Sequence, residues 1–178
     1  FIDAASKDYS ELRTILETEF GHIDGLLHNA ALLGPRTRIE NYSSEAWLNV
    51  MQVNVNAPFL LTQALLPILD KAPNASIVFT GSTVGLKGKA YWGGYAVSNA
   101  ASENLMQVLA DERENTSRVR INSINPGAVR TKMRAEAYPA ENPESVAPAE
   151  AIMNQYLYLM GDDSLSVNGQ QLNAQAPT

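Results

Sequence analysis

Three short apolar runs, each ending in small or polar residues, constrain this chain more than any other feature. They are "HIDGLLHNA" (22–30), "ASIVFTGS" (75–82) and "RVRINSINPG" (118–127). The second is rich in β-branched residues and closed by Gly81. The third stops at Asn125-Pro126-Gly127, a turn signal. A weaker fourth run, "GQQLNA", covers 169–174. Helical spacing fills the gaps. Ser43 or Ser44 caps a helix running to about Leu69, with Glu45 in its first turn. Trp47, Val50, Met51 and Asn54 fall at helical intervals along it. Pro58 kinks it, and Pro67 ends or bends it again. Residues 95–115 place Ala101, Leu105, Val108 and Leu109 on one face. Pro148 opens a further helix that Gly161 stops. Strand and helix alternating in this way predict an α/β fold: a parallel sheet covered on both faces, in three layers. Ligands of such sheets bind beyond the carboxyl ends of the strands. Asn29, Ser82 and residues 125–131 stand there. Residues 132–148 are the least patterned and are long enough for a substrate lid.

The bulk numbers narrow the function. At 178 residues the chain reads as a single domain over 1–178. Its net charge of −6 argues against broad contact with nucleic acid or an anionic membrane. There is no cysteine, so disulfides and thiolate metal sites are excluded, and a reducing compartment is compatible. His, Asp and Glu show no metal-ligand spacing, so no metal is expected. The start, "FIDAASKDYS", has no signal-peptide pattern, and "FLLTQALLPIL" is too short and interrupted to span a bilayer. A cytoplasmic location is expected. The first residue is Phe, which reads as a clipped chain.

One constellation carries chemistry. Ser82 precedes Tyr95 by 13 residues, and Asn99 lies one helical turn beyond Tyr95 on the same face. Taken singly, these are a capping serine and a half-buried tyrosine. Two rival motifs fail. "TGSTVGLKG" looks like a phosphate loop off by one residue, but no apolar helix follows it. A serine hydrolase needs glycine two residues before and after Ser82, where Thr80 and Val84 stand. The two histidines, His22 and His28, are the only candidate bases, and His28 reads as a loop residue beside the cleft.

Ser82, the loop glycines 85, 88, 93 and 94, and Tyr95 together resemble the classical short-chain dehydrogenase/reductase family, whose site is a serine thirteen residues ahead of Tyr-x-x-x-Lys. The likeness runs along the chain. "HNAALLG" resembles the family's Asn-Asn-Ala-Gly segment through Asn29 and Ala30, with His28 and Ala31 as departures. Asn54 matches the family's helix asparagine, "NPGAVRT" its Pro-Gly-x-Val-x-Thr segment, and Asp3 the aspartate near the adenine. "SVNGQQLNAQ" resembles its last strand. The resemblance implies a Rossmann-like, doubly wound sheet lacking the first βαβ unit, since the family's phosphate loop should precede all these motifs.

It also implies a reaction: hydride transfer between NAD or NADP and a small carbonyl or alcohol substrate. Tyr95 would exchange the proton, Ser82 would hold the substrate oxygen and Asn54 a relay water. Asp3, Asn29, Ala30, Ala31, Pro126, Gly127, Val129 and Thr131 would line the cofactor site. Assembly as a homodimer or homotetramer through helices 44–69 and 95–115 is implied. Asn99 occupies the lysine slot. It has no charge to lower the tyrosine pKa, so the site should be impaired. A free phenol, with a pKa of about 10, is ionised to about one part in a thousand at pH 7. The alternative is a catalytically silent cofactor-binding or partner subunit of the same fold.

Overall fold

The computed structural model describes residues 2–176. Four strands, β1 (Gly25–His28), β2 (Ala75–Thr80), β3 (Val119–Asn125) and β4 (Gln171–Asn173), form one sheet in the order β1-β2-β3-β4. Every neighbouring pair is parallel, with Leu27 opposite Val78, Val78 opposite Asn122, and Ser123 opposite Gln171. Alternate side chains of a strand face opposite ways, which gives β2 two cores. Ile77 and Phe79 pack with Ile68, Leu69, Met106 and Ile121 on one face. Val78 packs with Ile124, Ile152 and Leu159 on the other. Three layers result, in a Rossmann-like α/β arrangement.

Helices α1 (Ser6–Phe20), α3 (Ala57–Leu69) and α5 (Gly93–Arg113) supply the first face, and α7 (Met153–Met160) the second. The buried polar side chains of β3 reach partners on the segments packed against it. Asn122 donates to the Val167 carbonyl at 2.9 Å and accepts from the Gln170 N–H at 3.0 Å. Arg120 donates to the carbonyl of Gly161 at 3.1 Å, where a cation suits the C-terminal end of α7.

Several expectations need correcting. Helix α1 has no counterpart in the sequence reading. Its apolar stripe is thin, with Leu12, Ile15 and Phe20 exposed. Its end signals were there: Asp8 Oδ2 accepts from the Ala5 N–H at 2.7 Å, and Gly21, at φ 75°, closes the helix. The helix expected over 44–69 is two, α2 (Ser44–Met51) and α3, joined by a π-turn over Gln52–Asn56. Ser43 is the cap, accepting from the Ala46 N–H at 3.1 Å. Pro58 explains the π-turn. It has no N–H to offer the Asn54 carbonyl four residues back. That carbonyl instead accepts from Ser102 Oγ at 2.7 Å, which ties the turn to α5.

Val108 is exposed rather than buried, because the inward stripe of α5 runs through Asn99, Glu103, Met106 and Ala110. Residues 132–148 are partly helical: α6 (Lys132–Ala137) opens them, and a 3-10 turn covers Pro143–Ser145. Among the described residues, no helix is long and apolar enough to cross a membrane.

Candidate active site

The carboxyl ends of β1, β2 and β3 open into a cleft of about 490 Å³. Eleven of the twelve residues singled out above line it: Asn29, Ala30, Ala31, Asn54, Ser82, Tyr95, Asn99, Pro126, Gly127, Val129 and Thr131. Asp3 does not. It sits in an exposed turn ahead of α1.

Ser82 precedes the short helix α4 (Thr83–Leu86), and Tyr95 stands in the first turn of α5. The two elements are pressed together. A Cβ on Gly85 would lie 2.8 Å from Asn99 Cβ and 2.9 Å from its carbonyl carbon. Only glycine allows that approach, and the approach fixes Ser82 relative to Tyr95. Burial pushes the Tyr95 phenol above its ordinary pKa of 10, while the Asn99 and Ser82 side chains pull it down and Tyr156 raises it further. The net shift is upward. Asn99 is 8% exposed, and its Nδ2 donates to the backbone carbonyl of Tyr95 at 2.8 Å.

Asn54 is a clamp. Its Oδ1 accepts from the Leu32 N–H at 2.8 Å, and its Nδ2 donates to the Leu32 carbonyl and to Ser98 Oγ, each at 2.9 Å. Both amide hydrogens are therefore committed, and a water relay through this side chain has one Oδ1 lone pair left. The loop after β3 is equally fixed. Gly127 takes φ 72°, its N–H donates to Asn125 Oδ1 at 3.1 Å, and Gln175 Nε2 donates to the carbonyls of Pro126 and Ala128 at 2.7 and 2.8 Å. Thr131 Oγ1 accepts from the Arg134 N–H at 3.1 Å, which caps α6.

His28 is not a loop residue. It ends β1, with Nε2 2.7 Å from Thr62 Oγ1 and its ring 4.6 Å from that of Phe79. Burial lowers its pKa to about 4, so it is neutral at pH 7. Sequence reasoning missed Tyr156, whose hydroxyl lies 3.3 Å from Thr80 Oγ1, itself 2.9 Å from Asn29 Oδ1. It also missed the aromatics Trp92 and Tyr138, which line the cleft. No spacing rule announces either, because each enters the cleft from a separate segment. Arg134 is the only lysine or arginine among the lining residues, and Glu141 takes it bidentately at 2.6 and 2.7 Å.

A family model for short chain dehydrogenases matches residues 3–142. The chain belongs to the short chain dehydrogenase family. Among short chain dehydrogenases it is similar to an uncharacterized oxidoreductase, YciK, of Escherichia coli K12, at 47% identity over 174 residues, covering 98% of this chain and 68% of that protein. A solved putative short chain dehydrogenase from Pseudomonas syringae matches at 57% identity and a TM-score of 0.96, covering 98% of this chain and 70% of that one. Another, from Escherichia coli CFT073 and complexed with NADPH, matches at 47% identity and a TM-score of 0.95, covering 98% of this chain and 72% of that one. The chain thus spans about two thirds of the length of these relatives.

Proposed function

We propose that the chain is the catalytic portion of an NADP-dependent oxidoreductase that interconverts a carbonyl compound and an alcohol, slowed by Asn99. The observation that carries this is the meeting of Ser82 and Tyr95 in one cleft at the strand ends. NADP rather than NAD is supported by the NADPH bound to the related structure.

The residues present fit a nicotinamide cofactor. Asn29, Ala30 and Ala31 are small and exposed along one side of the cleft, and Gly127, at φ 72°, turns the chain along the other. Those residues, with Pro126, Val129 and Thr131, would hold it. Bound there, the nicotinamide supplies or accepts the hydride. The chain's own residues handle the oxygen. Ser82 Oγ hydrogen-bonds it as charge develops, and the Tyr95 hydroxyl gives it a proton in reduction. In oxidation the Tyr95 phenolate takes the proton back. Burial raises the phenol further above its ordinary value, so the neutral donor that reduction uses is the form present at pH 7.

A homodimer or homotetramer is supported by the outward apolar side chains of α2, α3 and α5: Leu48, Phe59, Val97 and Val108 are all exposed. Asn99 also favours the second reading, a subunit that binds cofactor and does not turn over. Titration with NADPH followed by a ketone screen separates the two. Ketone-dependent loss of NADPH absorbance supports the enzyme, and binding without that loss supports the silent subunit.

A further inference from the structure

Three segments distant in sequence meet on one side of Tyr95. Trp92 is 7% exposed, and its ring centroid lies 5.8 Å from that of Tyr95 and 5.9 Å from that of Tyr138. Arg36, from the loop after β1, places its guanidinium 4.4 Å from the Trp92 centroid and 5.2 Å from that of Tyr138. The same guanidinium donates to the carbonyl of Ala137 at the end of α6. A planar cation over two rings and a hydrogen bond to the lid together hold both rings in place. Arg134 sits 3.8 Å from the Tyr138 centroid and steadies it further.

The backbone is forced into this arrangement. Tyr91 takes φ 71°, the one positive φ outside glycine among the described residues. Next along the chain after Trp92, a Cβ on Gly93 would lie 2.6 Å from the Tyr42 ring. A bulky residue in the left-handed region persists only where its surroundings insist on it. Here the strained turn sets Trp92 against Tyr95.

We propose that Trp92 and Tyr138, pinned by Arg36, form a fixed aromatic wall that selects flat, ring-bearing carbonyl compounds over acyclic ones. This rests on the reading that a carbonyl carbon comes to Tyr95. Rigid rings offer a flat substrate a ready-made face and ask a flexible chain to lose its rotamer freedom. Arg134 is engaged by Glu141, so its guanidinium is committed to the Tyr138 side of the wall. Arg36 is then a specificity-determining residue, acting through the rings it pins.

Trp92 provides the probe. The chain has two tryptophans, so Trp47→Phe leaves Trp92 as the only one. Its emission is titrated with 1-tetralone and with decan-2-one of equal carbon count. Tetralone should quench Trp92 and bind at least tenfold tighter than decan-2-one, although decan-2-one is the more hydrophobic. Tyr138→Ala and Arg36→Met should each bring the tetralone-to-decanone ratio to within about threefold, with Arg36→Lys between them and the starting chain. Should Tyr138→Ala lose helicity by circular dichroism, Tyr138→Leu keeps the bulk without the π face and must show the same loss. Equal affinities in the starting chain, or an unchanged ratio in Arg36→Met, overturn the wall. Tetralone preference without NADPH-dependent reduction supports the wall and defeats the reaction proposed above. Ketone reduction with no ring preference defeats the wall alone.

Discussion

Asn99 donates its side-chain amide to the backbone carbonyl of Tyr95, one turn back on the same helix, at 2.8 Å. The slot that would hold a cation therefore closes a local hydrogen bond. The phenol it faces lies above its ordinary pKa, chiefly through burial. Alcohol oxidation, which needs the phenolate, should rise about tenfold per pH unit and keep rising to pH 10. Carbonyl reduction, which uses the neutral phenol, should stay flat over the same range. A pH–rate series in both directions checks this, and an oxidation plateau below pH 9 contradicts it.

Tyr95→Phe removes the proposed proton donor and Ser82→Ala the proposed donor to the developing oxyanion. The first should lower reduction by about 10²–10⁴-fold and the second by about 10²–10³-fold. Both should leave NADPH affinity within a factor of about three, since neither side chain is among the proposed cofactor contacts. Steady-state kinetics with a cofactor titration separates these effects.

Gly85→Ala tests the contact that sets the site. The added methyl meets the Asn99 backbone, which cannot move without shifting α5. Overpacking of this kind costs about 1–3 kcal/mol. Thermal denaturation should show the loss, and reduction should fall by about 10²-fold as Ser82 is displaced from Tyr95. Normal activity at reduced stability would break the link between the glycine and the site geometry.

His28 predicts an acid-sensitive fold. Its pKa falls from 6.5 to about 4 on folding. Between those values the unfolded chain binds the proton and the folded chain does not, so stability drops as pH falls. The loss begins near pH 6.5 and is complete below pH 4, at about 3 kcal/mol. Urea denaturation at intervals from pH 7 to pH 4 should show it, and a His28→Asn variant should show a shallower fall.

The sheet is legible in the sequence because Ile77, Val78 and Phe79 leave a strand no other use, and the turn at Asn125-Pro126-Gly127 marks where β3 must stop. Ser82 and Tyr95 are legible through their spacing, which a strand-end turn and a helix start convert into proximity. Helix α1 is not, because its stripe is thin and capping signals alone do not announce a helix. The position of Val108 misleads because helical spacing is shared by both faces of α5, and tertiary packing chooses the stripe through Met106. Arg36, Trp92 and Tyr138 meet only after the segment carrying α6 folds back over the loop following β1. Nothing local encodes that meeting except the strained turn at Tyr91.

The central claim is that Tyr95 is a working acid–base group deprived of its cation, and Asn99→Lys tests it most directly. A positive charge within about 4–6 Å lowers the pKa of an acidic group by about 1–3 units. Alcohol oxidation at pH 7 is measured in the chain and in the variant, each extended to the length of its relatives. The variant should be faster by at least about tenfold, with its pH profile displaced to lower pH. Equal or slower oxidation with an unmoved profile contradicts the account.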